Sequence, residues 1–185
     1  MGRKFLGNEY EIRGDITAIK LRRKDGTEPE TIIDTADYEK VKEAHITWYA
    51  GHRQNRESYV QGHMPPLNGK RKSISLHGFL MECPDGMVID HFNHDTLDNR
   101  RSNLRVVTSG QNGQNRKLLS TNLSGYRGVS WDPKKEKWRV CVINGEDRMF
   151  CGYYKDQYIA DRVASLVRSL VHPFSQDAQE EGNKE

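Results

Sequence analysis

Residues 89–112 read "IDHFNHDTLDNRRSNLRVVTSGQN", with four Asn, three Arg and two His among them. Such residues are poor material for a core, because each polar group that is buried must find a partner. The remainder of the chain does not compensate with a large apolar reserve. Of its 185 residues 35% are apolar and 30% charged, so a core is feasible only if it is split into small units.

Several classes are set aside at once. The longest apolar candidate, "ISLHGFLM", is broken by His77 and Gly78 and is too short to span a bilayer. The start, "MGRKFLGNEYEIRGD", has basic residues but no apolar h-region. Met-Gly begins a myristoylation signal, but Leu6 stands where Ser or Thr is wanted. The expectation is a cytoplasmic protein, not secreted and not membrane-bound. Cys83, Cys141 and Cys151 are widely spaced and form no CxxC, which speaks against a zinc site or a disulfide framework. Charge is uneven. Residues 100–139 carry ten Lys and Arg against Asp132 and Glu136, a net of +8, while "SQDAQEEGNKE" at 175–185 carries −3. A local basic block is the electrostatic footprint of a nucleic-acid binder, though charge alone equally describes a solvated basic loop.

The patterning predicts an α+β chain. In residues 1–70, Thr17, Ile19 and Leu21 share one face at strand spacing. The chain turns at Asp25-Gly26 and resumes with Thr31, Ile32 and Ile33, a hairpin signal. "DTADYEKVKEA" predicts a helix capped by Asp34 or Thr35, and "HITWYAG" and "ESYVQGH" predict short strands. "MPPLNGKRK" is a turn or linker. This α+β module carries no chemical motif. Residues 71–119 form the second module. Here "SISLHGFLMECPDG" reads as a strand or short helix, "MVID" as a strand, and "NLRVVT" as a strand leading to an N-cap at Ser109. A helix then runs through Gln111, Asn112 and Asn115. After a linker, "RKLLSTNLSG", residues 124–174 predict three antiparallel strands, "GYRGVSWD", "KWRVCVI" and "RMFCGYY". One helix follows, capped by Asp156 and ended by Pro173, with an apolar stripe at Ile159, Val163, Leu166, Val167 and Leu170. A small three-stranded antiparallel sheet backed by one helix makes its own core. Residues 175–185 are an acidic tail expected to be disordered.

The polar stretch suits phosphodiester hydrolysis. That reaction needs a base for water, a cation on the phosphate and help for the leaving oxygen. Asp90 offers a carboxylate at the end of a strand and Asn112 an amide oxygen at the start of a helix; two such oxygens suit Mg²⁺, with Mn²⁺ as the alternative. His91 suits a general base near pH 7, but adjacency to Asp90 in a strand points it to the opposite side unless the chain bends. Asn103, at the far end of the loop, can clamp the loop through its backbone.

The stretch resembles the HNH endonuclease family, especially the phage and intron-encoded homing type. The family run has the form "DHxNGDxxDNRxxNLRxxTxxxN"; here it stands as "DHFNHDTLDNRRSNLRVVTSGQN". The resemblance implies a ββα-metal fold with His91 as general base, Asn103 as loop clamp, and Asp90 and Asn112 as metal ligands. Upstream, "LHGFLM" is similar to the family's "VHRLVA", with His77 in the His position. The departure is His94, which replaces the usual Gly in a turn that calls for positive φ; it tolerates this better than most residues, and its alternative role is beside the metal centre, as is that of His77. Arg105 borders the helix and is the phosphate-facing candidate.

"SGYRGVSWDPKKEKWRVCVINGEDRMFCGYYKDQYIADRVASLV" is similar to an AP2 DNA-binding domain. That resemblance implies a sheet whose outer face lies in the major groove of double-stranded DNA. Trp138, Val140 and Val142 then pack on the helix, and Lys137, Arg139, Cys141 and Ile143 face DNA. Contacts are expected from Arg127, Arg139 and Arg148, with Trp131 and Phe150 covering sugar or backbone. The reading is a metal-dependent DNA endonuclease of the bacterial or phage-infected cytoplasm, acting as monomer or homodimer. Its rival is an AP2-type regulator with a vestigial nuclease centre.

Overall fold

The computed structural model describes residues 7–21, 26–51, 59–64, 72–116, 118, 121–145, 147–175 and 178. The chain divides into two compact units, residues 1–106 and 107–185, so the division falls inside the 71–119 segment. Most of the 64–72 linker and almost all of the acidic tail lie outside the described residues.

The first unit begins with an antiparallel sheet of β1 (Tyr10–Arg13), β2 (Ile16–Lys20) and β3 (Glu30–Asp34), in the order β1-β2-β3. Gly14, at φ +67°, makes the tight turn between the first two strands, which the hairpin signal did not include. β2 is central, and Thr17, Ala18 and Ile19 are all buried, on both of its faces. The 3₁₀ turn Thr35–Asp37 and helix α1 (Tyr38–Glu43) follow. Neither Asp34 nor Thr35 caps by its side chain. Asp34 instead accepts the Arg101 backbone N–H at 2.7 Å, and Thr35 donates to the Gly14 carbonyl at 2.8 Å.

A second antiparallel sheet contains β4 (Tyr49–Ala50), β5 (Val60–His63) and β6 (Ser73–Ser75). Helix α2 (Leu76–Leu80) continues from β6, so "SISLHGFLM" is strand and then helix; Ser75 Oγ accepts the Gly78 N–H as the cap. One core joins Ile19, Leu21 and Ile33 of the first sheet to Val41, Trp48, Val60, Leu76 and Leu80. β7 (Met87–His91) and β8 (Leu104–Thr108) form a two-stranded sheet. The polar segment between them docks on β3. Ile32 N–H donates to the Leu97 carbonyl at 3.0 Å, and Asn99 N–H donates to the Ile32 carbonyl at 2.8 Å. The loop thereby takes the open edge of the first sheet, with Ile32 and Asp98 in a parallel bridge.

In the second unit, helix α3 (Ser109–Gln114) starts with a capping box. The cap is Thr108, not Ser109: Thr108 Oγ1 accepts the Gln111 N–H and Gln111 Oε1 accepts the Thr108 N–H. β9 (Val129–Asp132), β10 (Lys137–Asn144) and β11 (Asp147–Tyr154) form an antiparallel sheet with β10 in the middle, and α4 (Gln157–Val171) covers one side. Asp156 caps α4 by accepting the Ile159 N–H at 2.9 Å. The buried face of α4 differs from the expected stripe. Ala160 and Ala164 are fully buried over Val129 and Val140, with Val163 beside them, while Ile159, Leu166 and Leu170 are at least half exposed. Small residues let the helix lie close to the sheet, and that closeness turns the larger ones outward.

Candidate active site

β7 delivers Asp90 and His91 to the base of the polar loop, and both are buried, 8% and 4% exposed. Their side chains diverge, as neighbours in a strand must. Asp90 Oδ2 accepts two hydrogen bonds from Arg105 of β8, at 2.7 and 2.9 Å, and the Arg105 guanidinium lies 4.7 Å from the Phe92 ring centre. His91 packs the other way, edge-on against His77 at 5.2 Å between ring centres and against Tyr59 at 5.7 Å. Its Nε2 lies 3.3 Å from Asn99 Oδ1. The chain turns immediately after it, His94 N–H donating to the His91 carbonyl at 3.0 Å. His94 takes φ +63° there, the left-handed geometry that Gly usually supplies.

The loop is closed by its own amides. Asn103 Oδ1 accepts the Asn93 N–H at 2.9 Å, and its Nδ2 donates to the Asp98 carbonyl at 2.8 Å. One buried side chain thus pins the loop at two points ten and five residues away. Asn93 and Asp95 make local Asx turns to Asp95 and Leu97. Asp98, 3% exposed, is gripped in bidentate fashion by Arg100 at 2.8 and 2.7 Å. Burial works against its charge, but the bonds from Arg100 and Asn93 hold its carboxyl below the usual range.

Electrostatics reverse part of the charge reading. Arg101 forks onto Asp37 at 2.8 and 2.7 Å and also reaches the Leu80 carbonyl. Arg100, Arg101 and Arg105 therefore answer Asp98, Asp37 and Asp90, and all three of those carboxylates lie outside the 100–139 block. Burial pushes the His77 imidazole down to about 4, with the neighbouring His91 adding to the effect. Burial also lowers His91, against the raising influence of Asn99, Asp90, Asp98 and Asp95. Both rings are held neutral at physiological pH.

Asn112 lies on α3 in the second unit, one residue into the helix beyond the capping Gln111. The described residues contain no group of three or more His, Cys, Asp and Glu arranged to hold a metal. Asp90 and Asn112 offer hard oxygen donors, the type Mg²⁺ takes while keeping several waters. Arg105 already bonds Asp90 Oδ2, so a cation there would have to share the carboxylate with the guanidinium.

The expected DNA contacts divide three ways. Strand register puts Lys137, Arg139, Ile143, Arg148, Phe150 and Tyr153 on the sheet face away from α4. There Phe150 meets Tyr153 at 5.1 Å, with Arg139 5.9 Å from the Phe150 ring and Lys135 4.7 Å from the Tyr153 ring. Trp131 is placed differently. It pairs with Trp138, 5.1 Å away and edge-on, on the side of the sheet that α4 covers. Arg127 is also placed differently, its guanidinium donating to the carbonyls of Gly113, Gln114 and Arg116 at the end of α3. Sequence reasoning missed Asn99, Thr31 and Tyr59. Asn99 sits within the matching run, but its partner Thr31 lies 68 residues upstream.

No solved structure matches the chain. The HNH endonuclease family matches residues 81–114, a span that holds Asp90, His91, Asn103 and Asn112. An uncharacterized HNH endonuclease of Acanthamoeba polyphaga mimivirus is 35% identical over 83 residues, covering 45% of this chain and 42% of that protein. Protein 3.8 of Escherichia phage T7 is 32% identical over 87 residues, covering 47% of this chain and 69% of that protein. Residues 81–114 are an HNH endonuclease domain, and the chain belongs to the family that includes the phage T7 protein.

Proposed function

We propose that the chain is a divalent-metal-dependent DNA endonuclease of the phage or homing type, and that the sheet of 124–172 holds its duplex. The observation that carries this reading is the loop pinned by Asn103, which fixes a buried Asp90–His91 pair at its base. Water attacks phosphorus in line with the 3′ oxygen, and His91 takes the proton from that water. The P–O3′ bond breaks, leaving 5′-phosphate and 3′-hydroxyl ends. By the family resemblance Asp90 and Asn112 would be the ligands of a divalent cation, Mg²⁺ by the hardness of their oxygens, and it would supply charge stabilisation at the phosphate when bound. Arg105 orients the Asp90 carboxylate through its two hydrogen bonds. One centre per chain cuts one strand, so a double-strand cut takes two chains or two visits. On the sheet, Lys137, Arg139, Arg148 and Phe150 form the DNA face. Arg127 serves structure instead, and Trp131 stands half-exposed beside Trp138 on the other side of the sheet.

The test is cleavage of a supercoiled plasmid. His91→Ala is expected to cut ~10²–10⁴-fold more slowly while still binding DNA, the usual value of a general base. Chelation with EDTA is expected to silence the wild type. A variant that cuts at the wild-type rate, or activity that survives EDTA, refutes the mechanism.

A further inference from the structure

An amide side chain has one acceptor oxygen and one NH₂ donor, so its neighbours fix which way it faces. Asn99 is 1% exposed. Its Nδ2 lies 3.3 Å from the Thr96 carbonyl, which can only accept, and 2.9 Å from Thr31 Oγ1. Thr31 gives its hydroxyl proton to the Leu97 carbonyl at 2.6 Å and so meets Asn99 as an acceptor. Both contacts require the NH₂ group, which leaves Oδ1 facing His91 Nε2 at 3.3 Å. An amide oxygen only accepts. Nε2 must therefore carry the ring proton, and in a neutral imidazole the other nitrogen then holds the lone pair. That nitrogen, Nδ1, is buried with no hydrogen-bond partner among the described residues.

We infer that Asn99 and Thr31 are positioning residues for His91, holding its proton on Nε2 so that Nδ1 is the atom that receives the proton from water. The inference rests on the reading of His91 as the base. It also gives the N-terminal residues a part in the site. Thr31 belongs to β3, and the same strand edge binds the loop backbone on either side of Asp98. A side chain from the first forty residues thus sets the tautomer of a residue sixty positions later, through one amide.

Long-range ¹H–¹⁵N correlation on the metal-free full chain, at about pH 8 where a histidine is neutral, reads which ring nitrogen bears the proton. The wild type is expected to show His91 protonated at Nε2. Thr31→Val keeps the shape and removes the hydroxyl; it is expected to give mixed His91 tautomers. Its kcat is expected to fall about tenfold with KM for DNA unchanged, part of the ~10²–10⁴ that a general base is worth. Asn99→Asp keeps an acceptor for Nε2–H and is expected to retain the tautomer. A wild-type spectrum with the proton on Nδ1 overturns the inference even if neither variant folds. So does a folded Thr31→Val chain with unchanged tautomer and kcat. If the spectra behave as expected but His91→Ala cuts at the wild-type rate, the relay stands and the assignment of the base fails.

Discussion

Replacing Asn103 measures how much the loop depends on a single side chain. Asn103 is 6% exposed and makes two backbone hydrogen bonds, accepting from Asn93 N–H at 2.9 Å and donating to the Asp98 carbonyl at 2.8 Å. Asn103→Ala leaves both backbone groups without that partner. A buried group stranded in this way costs ~1–3 kcal/mol. Asn93 is exposed, so water recovers part of its loss; Asp98 is buried and its carbonyl bears the fuller cost. The two together come to roughly 2–4 kcal/mol. Asn103→Asp is the sharper variant. It has the same shape and still accepts from Asn93, but it sets a carboxylate against the Asp98 carbonyl inside the loop, so it should destabilise at least as much as Ala. Urea unfolding followed by tryptophan fluorescence gives both values, since Trp48 lies in the core of the same unit. Plasmid cleavage on the folded fraction should fall in both variants, because the loop no longer holds the turn that follows His91. If both variants unfold within ~0.5 kcal/mol of the wild type, the level of an ordinary surface change, Asn103 is not a clamp.

Lowering the pH should destabilise the chain in a window set by His77. Its folded form stays neutral down to about 4, while in the unfolded chain it takes a proton below about 6.5. Stability is therefore complete above pH ~6.5 and lost as pH falls toward ~4, by about 3 kcal/mol for the full displacement; His91 is displaced in the same direction. Urea midpoints from pH 8 to 4.5 should show the slope, and His77→Phe should flatten it. Arg101→Ala removes the fork onto buried Asp37 and should cost about 2 kcal/mol, as charge-assisted hydrogen bonds do; a melt unchanged from wild type would show the fork to be idle. Arg139→Ala should weaken DNA binding by ~1–3 kcal/mol if it reads a base edge, or lower the salt slope by about one unit if it meets a phosphate. Anisotropy titrations against several duplexes distinguish these, and the cutting rate at saturating DNA should not change.

Local signals in the sequence were legible where neighbours in the chain decide the structure. The β2–β3 hairpin follows from strand alternation on both sides of Asp25-Gly26. The cap at Asp156 and the stop at Pro173 follow from backbone chemistry within four residues. His94 was expected at positive φ because its turn demands it, and it stands at +63°. The α3 cap differs from the expected Ser109: both Thr108 and Ser109 can cap, and only Thr108 has a Gln three residues on. What was not legible depends on distant partners. Charge counted within residues 100–139 leaves Arg101 without a partner, because Asp37 lies 64 residues away. Hydrophobicity favoured Ile159, Leu166 and Leu170 as the buried face of α4, whereas close packing on a sheet selected the alanines. Asn99 reads as one more polar residue in a polar run until Thr31 is brought beside it.

The closure of α3 bears on how such proteins are recombined. A six-residue helix has too few internal bonds to persist alone. Its final carbonyls are bonded by Arg127, its Gln114 side chain accepts the Phe174 N–H, and the Arg127 carbonyl is in turn bonded by Arg168 of α4. The stretch "RKLLSTNLSG" looks like a natural seam for exchanging one DNA-binding domain for another. A crossover there would separate α3, and Asn112 with it, from the arginine that closes its end. A graft that respects these bonds joins the two parents ahead of α3 instead, so that each incoming domain brings its own α3. Part of the nuclease signature would then be inherited with the DNA-binding domain, and shuffled relatives should show Asn112 and Arg127 changing hands together.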